Sequence, residues 1–339
     1  MKGGNGSNEV AVIAIDLGGT WIKSGLVYPD GRVAAERRRA TPKDGREAVL
    51  SALAEDIETL SAQASAPPAA VGLGSPGMVD DRGYLHRAAV NIPGWNDFDL
   101  AATLGEQIRL PVVALNDANA AAMAEVYHGA GRGASTLALI TVGTGIGGGL
   151  VVDGRPYAGR SGAAGELGHM VLRPRGRRCA CGNLGCAEAY ASAAAVDSLA
   201  REWAKDHHDR ASELAASIRR GVHEQIGFEL IYNHVARGDQ LALMLHDTLC
   251  DVLAQLAAAV ATTIAPERIL FSGGVMQSAD LIIPEVTKRF SAFVLAHIRD
   301  HVTISTAGLA RNAGIIGAGA AAFAVLGETP TPVAELTGE

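Results

Sequence analysis

Short apolar runs, glycine turns and longer amphipathic stretches alternate along this chain. Val10–Leu17 is a β-rich apolar run of the kind a central sheet strand shows. Gly18-Gly19-Thr20 follows, then a second strand over Ile22–Tyr28, a Pro29-Asp30-Gly31 turn and a third strand from Arg32. Residues 45–64 carry a helical pattern closed by Ala66-Pro67-Pro68, and Ala69–Leu73 predicts a buried strand ending in Gly74-Ser75-Pro76-Gly77. The turn formers of Asn91–Asn96 predict an irregular loop. A helix near Leu100–Ile108, a strand over Pro111–Leu115 and a helix opening at Ala118 come next. Farther on, a strand over Thr136–Val142 runs into Gly143–Gly149, a strand to Val152 and an Asp153-Gly154 turn. Helical patterns cover Ala189–Lys205, Ala211–Arg220 and Gln240–Ile264. A short buried strand, Arg268–Phe271, closes on Ser272-Gly273-Gly274-Val275, and a small-residue helix over Arg311–Leu326 ends the fold.

One construction occurs twice: apolar strand, glycine turn carrying a threonine, apolar strand, Asp-Gly turn. It spans Asp16–Gly31 and Gly143–Gly154, which start about 125 residues apart. The echo suggests two related domains, each supplying one hairpin whose bare amides can wrap phosphate oxygens, although a plain glycine hairpin has the same pattern. Asp16, at a strand end, is placed to reach Mg²⁺ through water. Neither turn is a Walker loop, and Gly143-x-Gly145-x-x-Gly148 opens a strand where a dinucleotide fingerprint must open a helix. Asn116-Asp117 stands at a strand-to-helix junction, where ligands of open α/β sheets bind and where helix caps also sit.

The densest chemistry lies between Glu166 and Glu188. Three of the chain's four cysteines, Cys179, Cys181 and Cys186, fall within eight positions, and His169 precedes them by ten. Three thiolates and an imidazole match the Cys₃His set of a structural, tetrahedral Zn²⁺ site. Gly182 and Gly185 fall where a backbone folding around a metal needs positive φ and close approach. If one ring nitrogen of His169 binds the metal, the other is free to donate outward. With Glu166 and Glu188 flanking the loop, two carboxylates and an imidazole N–H suit a polyhydroxyl ligand such as a sugar; Glu188 also stands where an acid begins a helix.

Composition narrows the setting. At 339 residues the chain is long for one core, which predicts two domains. A net charge of −7 argues against a nucleic-acid-binding surface. The Val252–Ala265 apolar run is too short to span a bilayer and reads as a buried helix, so no membrane role is expected. Residues 1–9 read as a disordered tail, 329–339 as a mobile one, and few, metal-bound cysteines point to the cytoplasm. The basic clusters Arg37–Arg39 and Arg173–Arg178 read as solvated faces, as does the His207-His208 pair.

Read in order, D-L-G-G-T-W-I-K (Asp16–Lys23), L-G-S-P-G (Leu73–Gly77), N-I-P-G-W (Asn91–Trp95), L-N-D-A-N-A-A (Leu115–Ala121), G-T-G-I-G-G-G (Gly143–Gly149), G-E-L-G-H-M (Gly165–Met170), C-A-C-G-N-L-G-C-A-E (Cys179–Glu188) and S-G-G-V (Ser272–Val275) together resemble the ROK family (repressors, open reading frames, kinases). The pattern is most similar to the glucokinase subgroup. That resemblance implies a two-domain actin-like (ribonuclease H-like) ATPase fold of the α/β class, with ATP and a hexose meeting in a cleft between domains. The expected domains are a small one over 10–116, completed by the helix at about 311–326, and a larger one over 117–310 carrying the zinc loop 169–186. Carried over, Asn116, Asp117, Glu166, His169 and Glu188 hold the sugar, with Asp117 as the base at ordinary carboxylate basicity. Asp16, Gly18, Gly19, Thr20, Lys23, Gly143, Thr144, Gly145, Gly273 and Gly274 face ATP and Mg²⁺, and His169 joins the three cysteines on Zn²⁺. The resemblance also implies a homo-oligomer, dimer or tetramer. N-acetylglucosamine and N-acetylmannosamine kinases would meet much the same residues. The family's sugar-sensing regulators carry a DNA-binding helix-turn-helix ahead of this region, for which a first strand at Val10 leaves no expected room.

Overall fold

A computed structural model describes residues 10–88, 92–206, 212–309 and 312–327. The expected tails at 1–9 and 329–339, Asn91 of the N-I-P-G-W loop, the His207-His208 pair and Arg311 lie outside the described residues. The chain forms two compact units. One comprises residues up to Leu137, Gly149–Gly165 and the chain from Gly308; the other comprises Ala138–Gly148 and Glu166–Ala307.

The first unit is built on a five-stranded sheet. Val12–Leu17 lies at its centre, flanked on one side by Trp21–Val27 and then Val33–Ala40, each antiparallel to the strand before it. On the other side Val71–Ser75 and then Val112–Asn116 run parallel to it. Side chains of a strand alternate between faces, and this one sorts its residues accordingly. Ile13, Ile15 and Leu17 join the core beneath helix Arg46–Gln63, whose Val49, Leu53, Ile57 and Leu60 are buried. Val12 and Ala14 face the opposite layer with Ile315, Ala318, Ala322 and Phe323 of helix Ala313–Leu326.

That C-terminal helix packs against Asp117–His128. A Cβ on Gly317 would stand 1.6 Å from the Ala120 carbonyl oxygen, so only glycine admits so close a helix crossing. This packing places Asp117–His128 in the first unit, which therefore reaches past the boundary expected at residue 116. On either side of the expected Asn91–Asn96 loop, Met78–Val79, Tyr84–Arg87 and Phe98–Asp99 form a small three-stranded antiparallel sheet that the sequence pattern does not announce. Arg37 and Arg39, expected on a solvated face, reach the buried Asp56 carboxylate at 3.1 and 3.5 Å.

The second sheet repeats the strand order of the first. Arg155–Pro156, Ile146–Val152, Leu137–Val142, Arg268–Ser272 and Thr303–Thr306 stand in that order, the last two parallel. In both sheets the two strands that next follow the central strand in the chain stand on one side of it and two later strands on the other, the same order twice, as the repeated hairpin predicts. The glycine turn is shorter than expected, because Gly147–Gly149 are already strand. The single helix expected over Ala189–Lys205 is two, Glu188–Ala191 and Ala193–Asp206. Ser192 interrupts them in extended conformation, and its Oγ accepts from the Ala195 amide. The apolar run at Val252–Ala265 belongs to a longer helix, Gln240–Ile264. By length and composition alone that helix could cross a membrane, but 56% of its most apolar window is buried inside the fold, as a core helix requires.

Candidate functional site

In the first unit, three parallel strands end together. Register pairs Asp16 with Gly74, Gly74 with Leu115 and Ser75 with Asn116, so Asp16, Ser75 and Asn116-Asp117 share one sheet edge. This is the carboxyl edge, where open α/β sheets bind ligands. Asn116 is the N-cap of helix Asp117–His128, and its Oδ1 accepts from the Ala118 and Asn119 amides at 2.9 and 3.3 Å. Its Nδ2 donates to the Gly77 carbonyl at 2.9 Å. The capping role is thus real, and it fixes the direction in which the neighbouring Asp117 leaves the backbone.

Asp117 is exposed, and its Oδ1 accepts from the Ala118 amide at 2.8 Å. Desolvation by the surrounding protein nevertheless raises its pKa above the ordinary aspartate value; the Asp16 carboxylate raises it further, against the backbone hydrogen bonds that lower it. The carboxylate is therefore a stronger base than the ordinary one expected from sequence. Behind the same edge, the buried indole of Trp95 donates through Nε1 to Ser75 Oγ at 3.1 Å. Nothing in the residue pattern announces that bond, since Trp95 and Ser75 stand 20 positions apart.

The turn after the first strand is open, with Gly19 and Thr20 exposed. The Gly18 amide is used inside it, donating to the Trp21 carbonyl at 2.9 Å, while Thr41 Oγ1 and Lys43 Nζ donate to the Gly18 and Gly19 carbonyls. Lys23 Nζ lies 3.4 Å from Asp16 Oδ2. The corresponding turn in the second unit is alike: the Gly143 amide donates to the Gly145 carbonyl at 2.9 Å and Thr144 is exposed. Gly273, ending the adjacent strand, has φ 95°, and a Cβ there would stand 2.2 Å from the Val142 carbonyl oxygen. Gly274 beside it is open. Gly143–Gly145 and Gly273-Gly274 thus come together within one unit, at the ends of neighbouring strands.

The cysteine loop is closed in the way its spacing predicts. One donor atom from each of His169, Cys179, Cys181 and Cys186 lies within 4.8 Å of every other. The Cys181 and Cys186 sulfurs are 3.7 Å apart, and Cys179 Sγ is 3.7 Å from His169 Nδ1. Zinc–sulfur bonds of about 2.3 Å imply a tetrahedron edge of about 3.8 Å, so the donor set fits Zn²⁺ in number, kind and spacing. Burial pushes the Cys186 thiol up to about 12, and a metal arriving here displaces protons. Gly182 and Gly185 have φ 98° and 86°, the left-handed region expected of them.

His169 turns its other nitrogen outward, Nε2 lying 3.8 Å from Glu166 Oε2. Glu188 opens its short helix and points back: Oε1 lies 3.7 Å from Cys179 Sγ, and Oε2 accepts from the Ile146 amide at 2.9 Å. Two carboxylates and an imidazole edge around a pinned loop can take the hydroxyls of a polyol.

A repeated sheet plan with a glycine turn after each central strand defines the class: the actin-like ATPase fold. Within that class, the chain belongs to the ROK family, whose model matches residues 12–324. It is 34% identical to a glucokinase of Thermotoga maritima over 91% of this chain and 96% of that protein. It is 32% identical to an N-acetylmannosamine kinase of Escherichia fergusonii, over 91% of this chain and 97% of the other. A crystal structure of a ROK family glucokinase from Streptomyces griseus in complex with glucose and AMPPNP covers 91% of this chain and 98% of its own. That structure matches with TM-score 0.69 at 31% identity.

Proposed function

We propose that this protein is a sugar kinase that transfers the γ-phosphoryl group of ATP to O6 of a hexose, glucose in the first place. The observation that carries the reading is Asp117: a carboxylate of raised pKa, held at the carboxyl edge of the sheet by a capped helix, in a relative of named glucokinases. Asp117 accepts the proton of the attacking hydroxyl as the new O6–P bond forms and the bond from phosphorus to the β-γ bridging oxygen breaks, releasing ADP. Asn116, Glu166, His169 and Glu188 bind the other hydroxyls, so that one hydroxyl alone is left to react.

Amides of Gly19 and Thr20 in the first unit, and of Thr144 and Gly145 next to Gly273-Gly274 in the second, are the phosphate donors in this reading, because those of Gly18 and Gly143 are engaged within their turns. Asp16 is the carboxylate that would hold Mg²⁺ through water, and the metal when bound neutralises developing phosphate charge. His169, Cys179, Cys181 and Cys186 would hold a structural Zn²⁺, whose part is to fix the loop. Thiolate ligands of this kind persist in a reducing cytoplasm, where we place the protein, as a dimer or tetramer.

A coupled assay across glucose, mannose, N-acetylglucosamine and N-acetylmannosamine, with ATP and polyphosphate in parallel, tests the reading. ATP-dependent formation of glucose 6-phosphate is expected. Absence of phosphoryl transfer to every sugar overturns it. The likeness to an N-acetylmannosamine kinase supports a second reading, in which the N-acetylated sugars are turned over faster than glucose.

A further inference from the structure

We infer that Glu188, besides facing the sugar, is the post that holds the phosphate-binding turn of the second unit in shape. This rests on the kinase reading only for what the turn binds; the role itself rests on geometry. Glu188 Oε2 accepts from the Ile146 amide at 2.9 Å, across 42 residues of sequence. Ile146 is the first residue of its strand and follows directly on Gly143-Thr144-Gly145. A Cβ on Gly145 would lie 2.5 Å from the same Oε2, so glycine is what lets the carboxylate reach the amide. The loop past Glu188 ties back as well, the Ala193 amide donating to the Gly143 carbonyl at 2.8 Å. The turn is thereby clamped at both ends by the segment that leaves the cysteine loop. Cys179 Sγ, 3.7 Å from Glu188 Oε1, places that loop behind the other carboxylate oxygen.

Glu166, the other acid of the cluster, has a different set of neighbours. Its carboxylate lies by His169 Nε2, and its backbone carbonyl serves the His169 amide. The two glutamates are therefore separable. Removing either weakens sugar binding, but only Glu188 should matter to the turn in the absence of sugar. A charge-assisted bond to a backbone amide is worth about one factor of ten in local equilibrium.

The test compares wild type with Glu188→Ala, Glu188→Gln, Gly145→Ala and Glu166→Ala, all without sugar. Two readouts are taken: hydrogen–deuterium exchange of the peptide covering residues 143–150, and the Kd of a non-hydrolysable ATP analogue. In Glu188→Ala and Gly145→Ala, exchange of that peptide should accelerate about tenfold and nucleotide affinity should fall about tenfold. Glu188→Gln keeps an oxygen that accepts from Ile146 and should stay near wild type, while Glu166→Ala should change neither readout. Unchanged exchange in Glu188→Ala, or equal effects in Glu166→Ala and Glu188→Ala, overturns the inference. Should exchange respond while wild type shows no nucleotide binding, the clamp stands and the kinase reading falls. If Glu188→Ala fails to fold, the exchange readout of Gly145→Ala decides, unchanged exchange there overturning the inference.

Discussion

Gly185→Ala is the substitution whose cost the structure lets one work out most directly. Gly185 sits at φ 86°, where an alanine is strained by about 1–2 kcal/mol. Its Cβ would stand 1.8 Å from the Arg173 carbonyl oxygen, a backbone atom with no flexible end to yield. Relief requires the two segments to part, and three hydrogen bonds join them there. The Leu172 and Arg173 amides donate to the Gly185 carbonyl at 3.0 and 3.2 Å, and the Gly185 amide donates to Arg177 at 2.8 Å. At about 1 kcal/mol each, with the strain, the loop loses about 4–5 kcal/mol. Cys186 is the next residue, so a sulfur of the proposed zinc site moves with the backbone. The assay is zinc content of the purified variant by mass spectrometry of the metal, with thermal melting alongside. Wild type is expected to hold one zinc per chain and Gly185→Ala much less, with a lowered Tm. A variant that retains its full zinc and melts with wild type would falsify the account of the loop.

The other expectations concern the base, the metal and a buried acid. Asp117→Asn should lower kcat at least about 10²-fold while circular dichroism stays native, and wild-type turnover would remove Asp117 as the base. Because its pKa is raised on folding, the protonated form is the one the fold favours: this contribution to stability is present below the unfolded aspartate pKa and lost as pH rises through the folded value. Neutral Asn should therefore hold or raise Tm at pH 7, and wild-type kcat should fall as pH drops through the raised pKa, which a pH–rate profile reads. Cys181→Ser should lose zinc and sugar phosphorylation together, and full activity in a zinc-free protein would leave the loop without a function. Asp56→Ala leaves Arg37 and Arg39 without their buried partner and should cost about 2–4 kcal/mol in urea unfolding, a change under 0.5 kcal/mol arguing against the network.

Much of the site was legible because its parts are local in sequence. Cys179, Cys181 and Cys186 with His169 could be read as a metal set from spacing, and the positive φ of Gly182 and Gly185 from residue type. Asn116 and Asp117 announced a strand-to-helix junction, and the structure puts the cap and the candidate base there. Most of what escaped was a matter of partners far along the chain. Arg37 and Arg39 look like a solvated run until Asp56 is found beneath them. The Ser192 break in the helix after Glu188 leaves no mark in an alanine-rich pattern that favours continuing.

The chain's own periodicity and glycine placement determined most strands of the two main sheets, the two hairpin turns and the candidate metal-ligand set, because neighbour sterics and donor chemistry act over a few residues. Tertiary structure alone decided that Asp117–His128 joins the first unit, through the contact of Gly317 with Ala120, and that Glu188 reaches the Ile146 amide. Those outcomes follow from how packed surfaces register against each other, and no local preference of either segment carries that information.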